Sequence, residues 1–262
     1  MCAVSALKDE EMSEDSLLDG AVILHQPVEG YRAAIDPVFL AAAVPARAGD
    51  SVLDAGCGVG AVALCLARRV EGVTVTGLEC RADLAALGQE NALRNGFQDR
   101  VRVVTGDILD PPCDLKPASF HHVAVNPPFL EAHSADLPAN SIKREANVEG
   151  AARLADWVSF ALHMAAKDGG VTFIHRADRL GKLLSSLEEK TGGIVVFPLW
   201  ARAGKAAKRV LVGARKGSSA PLRMAPGLVL HGDRGDGAGE DADGAFTAEA
   251  EAILRGGRGL EL

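Results

Sequence analysis

An apolar strand that runs into three alternating glycines and then an apolar helix has few ways to fold. Ser51-Val52-Leu53 reads as a short buried strand, and Asp54-Ala55-Gly56-Cys57-Gly58-Val59-Gly60 follows it. From Val59 to Val70 the residues Val62, Leu64, Leu66 and Ala67 recur at helical spacing, and Arg68 and Arg69 close the run. Strand, glycine loop and helix together present backbone N–H groups and a helix N-terminus to a ligand. Glycine is needed there because a side chain would hold the ligand off the backbone. Glu79 ends the next apolar strand, Thr74 to Leu78, and places a carboxylate where it can accept both hydroxyls of a ribose. Three readings fit this spacing. Gly56, Gly58 and Ala61 also satisfy G-x-G-x-x-G/A with an acid about 20 residues on, the dinucleotide pattern. A tight turn that holds no ligand would want the same glycines.

A second segment narrows the choice. Phe120 to Val125 reads as a strand, and Asn126-Pro127-Pro128-Phe129 must end it. Proline supplies no N–H and holds the residue before it extended. The Pro127 carbonyl then lacks a ladder partner and lies beside the Asn126 side-chain oxygen. The two form a pair of acceptors past the carboxyl end of a strand, where ligands collect in open α/β sheets. Phe129 adds an aromatic face on which a base can stack. Two acceptors that take both hydrogens of a planar amino group favour a pyramidal nitrogen with a free lone pair. The bland alternative is a proline strand stop with a core phenylalanine.

The form Asp54-x-Gly56-x-Gly58-x-Gly60 resembles the first motif of class I S-adenosylmethionine (SAM)-dependent methyltransferases. With Asn126 to Phe129 the chain is similar to the tRNA adenine-N6 methyltransferase family, whose best-known members modify a valine tRNA. The likeness spans most of residues 17 to 231. It takes in Gln26-Pro27 and the run Gly30-Tyr31-Arg32-Ala33-Ala34-Ile35-Asp36-Pro37-Val38-Phe39-Leu40. The resemblance implies a Rossmann-like seven-stranded α/β sheet, mostly parallel, with an antiparallel C-terminal hairpin. It implies SAM as cofactor, held by Asp36, Asp54, Gly56, Gly58, Gly60, Glu79, Asp107 and Ile108. Asp36 would sit near the methionine end, Asp107 would accept from the adenine amino group, and Ile108 would pack on the adenine ring. Asn126, Pro127, Pro128 and Phe129 would form the catalytic segment. The same motif occurs in methyltransferases of protein glutamine and of ribosomal-RNA guanine, so it specifies nitrogen chemistry better than substrate. A SAM- or RNA-binding protein without activity is the non-enzyme alternative. The family's catalytic strand carries an acid where His121 stands here.

Elements alternate along the chain. Strands are expected near 51–56, 74–79, 101–107, 121–126 and 171–176, with helices near 59–70, 82–94, 150–166 and 178–189. Such alternation implies a parallel sheet covered on both faces. Gly169-Gly170 is expected to end the helix before the fifth strand. Ahead of the glycine loop, Ala21 to His25 reads as a strand and Asp36 to Val44 as a helix. Ile194 to Ala201 and Lys208 to Arg215 read as a hairpin. Three regions follow: an acidic disordered N-terminus over 1–16, a methyltransferase domain over 17–231, and a Gly/Asp-rich acidic tail over 232–262 with a terminal helical turn at Ala248 to Leu254.

Charge bears on the partner. The net charge of −7 looks wrong for an RNA-binding protein. Yet residues 1–20 and 233–262 each carry −5, which leaves +3 between them. Lys190 to Gly232 contains no Asp or Glu and eight cations. Phosphate binding needs such local positive potential. Lys205, Lys208 and Arg209, with Tyr31, Arg32, Lys143 and Arg144, are the candidate substrate contacts; ordinary solvated lysines are the alternative. The five cysteines show no C-x-x-C pairing, which reads as reduced thiols in the cytoplasm. No run approaches the ~20 apolar residues of a membrane span. His121 and His122 point to opposite strand faces, and no metal is expected. The partner expected is RNA, most of all tRNA; the sequence leaves the oligomeric state open.

Overall fold

The computed structural model describes residues 12–29, 32–128, 152–232 and 244–262. The strands are β1 (Met12–Leu17), β2 (Val22–Pro27), β3 (Ser51–Ala55), β4 (Thr74–Glu79), β5 (Val101–Thr105), β6 (Phe120–Val125), β7 (Ala165–Arg176), β8 (Thr191–Trp200), β9 (Arg209–Lys216), β10 (Arg223–Met224) and β11 (Leu228–Val229). The helices are α1 (Ile35–Ala43), α2 (Ala61–Arg69), α3 (Ala82–Arg94), α4 (Leu154–Met164), α5 (Leu180–Leu187) and α6 (Ala248–Leu254). Seven long strands form one sheet in the order β8-β9-β7-β6-β3-β4-β5. All are parallel except β9, which runs antiparallel to both β7 and β8. The two-residue strands β10 and β11 lie along the outer side of β8. This is the mostly parallel sheet that the alternation implied, with the antiparallel hairpin expected from Ile194 to Ala201 and Lys208 to Arg215.

Strand alternation divides the core into two apolar clusters. Leu53 and Ala55 of β3 and Val123 and Val125 of β6 face α4 and α5. Val52 and Ala124 face the other way, toward α1, α2, α3 and α6. Both faces are covered, so the strand interiors are apolar on successive residues, as parallel sheets require. Arg69 fastens two helices together: its Nη2 donates to Ala41 O at 2.9 Å and Val44 O at 2.6 Å, which satisfies carbonyls at the end of α1.

Three expectations need correction. Met12–Leu17 is not disordered; it pairs antiparallel with β2 over its whole length. Its acids find partners there, Glu14 with His25 and Asp15 with Arg32 and Gln26. Residues 1–11 lie outside the described residues. The C-terminal region is not merely a tail. Thr247 caps α6, Ala250 and Ile253 are buried, and Leu260 N donates to Ala42 O at 2.8 Å. The helical turn expected at Ala248 to Leu254 is present, and what the polar composition of 232–244 obscured is that it packs on the core. Gly169 and Gly170 do not end a helix. α4 stops at Met164, and β7 begins at once with an irregularity between Ala165, opposite Phe120, and Gly170, opposite His122. Asp168 there has φ +61°, so the glycines serve a bulge. Among the described residues no helix is long and apolar enough to cross a membrane.

Candidate active site

The carboxyl ends of β3, β4, β5 and β6 are adjacent in the sheet, and the motif residues gather along that edge. Gly56 and Gly58 have φ of +73° and +53°, values that side chains strain to adopt. They differ in surroundings. A Cβ on Gly56 would lie 2.7 Å from Trp157 Cη2, whereas one on Gly58 would meet nothing within 4 Å. The loop is therefore packed at Gly56 and open at Gly58.

Carboxylates shape this loop from below and from the side. Asp54 is 1% exposed, and its Oδ2 accepts from Ala63 N at 3.2 Å, tying β3 to the first turn of α2. Burial pushes its pKa up to about 7, and the Glu79 charge adds to that. Glu79 Oε2 accepts from Gly58 N at 2.9 Å and Oε1 from Arg81 N at 2.9 Å. The loop thus offers a ligand fewer backbone donors than its sequence implies, because the Gly56 and Cys57 N–H groups also go inward, both to Leu78 O. Asp107 follows β5 and is exposed, with Leu109 N on its Oδ1 at 2.9 Å. Ile108 packs against the apolar cluster beside α4.

These residues fit the nucleoside end of SAM. An ionised carboxylate has about four lone-pair directions; Glu79 uses two on backbone N–H groups and a third, on Oε1, on the weak Cys80 thiol donor at 3.4 Å, which a ribose hydroxyl can displace. The open space at Gly58 leaves room for a ligand against the backbone. The Cys57 and Cys65 thiols are buried, which raises their pKa, and they bring no nucleophile to the loop.

At the neighbouring strand, Asn126 directly follows β6, and its Oδ1 is shielded from solvent. Phe129, Lys143 and Arg144 lie outside the described residues, as does Tyr31. Arg32 belongs to the β1–β2 hairpin: it donates to Ser13 Oγ at 2.8 Å and to Asp15 Oδ2 at 2.5 Å. Arg209 Nε donates to Asp36 Oδ2 at 2.9 Å, joining the start of β9 to the first turn of α1. Lys205 and Lys208 are exposed. They sit in the loop from β8 to β9. Because β8 runs parallel to β7, that loop emerges at the carboxyl edge, on the same side as the motifs.

Sequence reasoning missed some residues here and gave others no role. Asn91 and Asn95, one turn apart on α3, each clasp β2. Asn91 pairs with both backbone groups of His25 at 2.9 Å and donates to Val59 O at 3.0 Å; Asn95 pairs with Ile23 at 2.8 and 2.7 Å. The i, i+4 spacing was the available signal. Gln26 is buried; its Oε1 accepts from Ala33 N at 2.8 Å, fixing the approach to α1. His175, fully buried near the end of β7, has its pKa lowered to about 4 by burial and then by Arg179 and Arg209. His121 bonds Ser51 at the amino edge, far from any site: Ser51 N donates to its Nδ1 at 3.0 Å.

This sheet order and edge define a SAM-dependent methyltransferase of the Rossmann-like class. Residues 34–148 match the family described as the methyltransferase small domain. A tRNA1(Val) (adenine(37)-N6)-methyltransferase of Actinobacillus succinogenes is 31% identical over 69% of this chain and 75% of its own length. The corresponding enzyme of Actinobacillus pleuropneumoniae is 29% identical over 84% of this chain and 87% of its own. The chain belongs to this adenine-N6 methyltransferase family. In three dimensions, a protein from Agrobacterium tumefaciens described as a predicted O-methyltransferase superposes with a TM-score of 0.67, covering 86% of this chain and 97% of that one at 24% identity; this likeness concerns the fold.

Proposed function

We propose that the enzyme methylates N6 of an adenine in tRNA. The observation that carries this reading is the position of Asn126-Pro127-Pro128 at the carboxyl end of β6, directly beside the β3 glycine loop. When bound, SAM supplies an electrophilic methyl group. Glu79 accepts from the ribose hydroxyls, Asp107 from the adenine amino group, and Ile108 packs on that ring. Asp36 stands at the methionine end, held by Arg209. Asp54 keeps the loop in shape.

The Asn126 side-chain oxygen and the Pro127 carbonyl take the two hydrogens of the substrate's exocyclic amine. That amine is a poor nucleophile while its lone pair is delocalised into the ring. Two acceptors out of the ring plane favour the pyramidal form, and they also meet positive charge as it develops on nitrogen. Holding the amine in this geometry supplies much of the acceleration. No strong base is needed beforehand, because the N–H becomes acidic once the nitrogen is alkylated. Phe129 stacks on the target base, and Lys205 and Lys208 meet RNA phosphates at the rim. The described cysteines are free thiols, in keeping with a cytoplasmic enzyme.

Mass spectrometry of nucleosides from the tRNA of a deletion strain tests this. Loss of N6-methyladenine from one tRNA, restored by the wild-type chain and not by Asn126→Ala, is the expected result. An unchanged RNA profile would defeat it and direct the search to protein glutamines.

A further inference from the structure

The glycine loop turns most of its own donors inward. Gly56 N and Cys57 N donate to Leu78 O at 2.8 and 3.0 Å, and Gly60 N donates to Cys57 O at 2.9 Å. Gly58 N is on Glu79. The neighbouring arginines face carboxylates, Arg209 on Asp36 and Arg32 on Asp15. The side-chain acids near the loop suit the hydroxyl, amino and ammonium groups of SAM. The cofactor's own carboxylate needs a donor.

One side chain packed on the loop carries a donor with no acceptor among the described residues. The Trp157 Nε1 is shielded from solvent and makes no hydrogen bond there. A buried N–H left in that state is unfavourable and wants a partner. The ring itself lies on the loop: the Cβ direction of Gly56 runs into it, 2.7 Å from Cη2 and 3.0 Å from Cζ3. Trp157 is carried by α4, which packs on β6, the strand that ends in Asn126. The benzene edge of the indole therefore packs on the cofactor loop, carried by a helix whose neighbouring strand leads to the catalytic segment.

We propose that Trp157 is a cofactor-binding residue whose indole N–H donates to the carboxylate at the methionine end of SAM. This rests on the glycine loop being a SAM site. It explains two features together: why a buried indole N–H is tolerated, and why position 56 carries no side chain.

Calorimetry on the full chain tests the proposal, with S-adenosylhomocysteine and with 5′-methylthioadenosine, which lacks the amino-acid end. Trp157→Phe keeps an aromatic ring and removes the N–H. S-adenosylhomocysteine should bind about 10- to 100-fold more weakly to the variant, the worth of a hydrogen bond to a charged group. Methylthioadenosine should bind as it does to wild type. Equal weakening of both ligands would make Trp157 a packing residue, and no weakening of either would leave its N–H without this role; each overturns the proposal. If wild type binds neither ligand, the SAM reading itself falls. A second measurement leaves Trp157 in place. The chain has two tryptophans, so Trp200→Phe makes Trp157 the sole indole, which excitation at the red edge of its absorption reads without Tyr31. The indole emission should respond to S-adenosylhomocysteine and not to methylthioadenosine; an identical response to both would overturn the assignment.

Discussion

The two halves of the carboxyl edge are built differently. In the cofactor half, β3 to β5, contacts join motif residues that are close in sequence: Gly58 to Glu79, Ala63 to Asp54, Arg81 to Glu79. The carboxylates there are buried or bonded to backbone, and the loop has little freedom. In the substrate half, from β6 to β9, cations dominate, and the contacts are long-range: Arg209 and Asp36 are 173 residues apart in sequence. Under the proposed function the first half is the cradle for the cofactor, and the second, with Lys205 and Lys208 exposed at its edge, is the side that would meet RNA phosphates.

The sharpest way to break this contrast is inside the cradle. Gly56→Ala adds left-handed strain of about 1–2 kcal/mol and an overpacking cost of ~1–3 kcal/mol against Trp157. We expect a melting temperature lower by roughly 5–15 °C. Gly58→Ala carries the strain without the collision, so it should fold nearly as well yet lose S-adenosylhomocysteine affinity, because its methyl group enters the open space. Equal melting temperatures for the two variants would contradict the packing at Gly56.

Asn126→Ala lies on the boundary between the halves. Turnover should fall at least ~100-fold, as when a preorganised transition-state acceptor is removed, while S-adenosylhomocysteine affinity stays as in wild type. Retained turnover would reduce the segment to a strand terminator. Glu79→Ala acts on the cradle alone and should weaken cofactor binding by about 10- to 150-fold, the worth of charge-assisted bonds. Calorimetry with SAM and NAD checks it; tight NAD binding without a SAM signal would reverse the cofactor assignment.

Protonation sets the halves against each other. Asp54 has a folded pKa of about 7, above its ordinary value of 3.8, so the unfolded chain ionises first and stability declines as pH rises from about 4 to 7. His175 is lowered from 6.5 to about 4, so the unfolded chain takes up the proton first and stability is lost as pH falls through that window. The slopes oppose each other in wild type. Asp54→Asn should leave a melting temperature that rises with pH between about 4 and 6.5, and His175→Gln one that falls. Parallel profiles for the two variants would deny one or both shifts.

The smallest effect belongs to the rim. Neutralising Lys205 and Lys208 should lower RNA affinity and flatten its salt dependence. The slope should drop by somewhat under one log unit per log unit of salt for each phosphate these lysines neutralise in wild type. Cofactor binding should not change. Unaltered affinity at low salt would make them ordinary surface charges.

The sequence alone determined the sheet and its site-bearing edge. Strand, glycine loop and helix are local, and the period of apolar residues is enough to place β3, α2 and β4. Asn126-Pro127-Pro128 needs only the stereochemistry of proline to end β6. What tertiary structure decided were the contacts made across long stretches of chain. Arg32 and Arg209 read as free cations, yet each meets an acid that the fold brings to it. Met12–Leu17 read as disorder because its polar composition hid a partner strand ten residues on. Lys205 and Lys208 could have faced either edge, and the direction of β8 settled which. Trp157 and Gly56 lie 101 positions apart, and nothing in either local pattern places an indole on a glycine. Hydrogen-bond and steric partners depend on distance in space, which periodicity encodes only within one element.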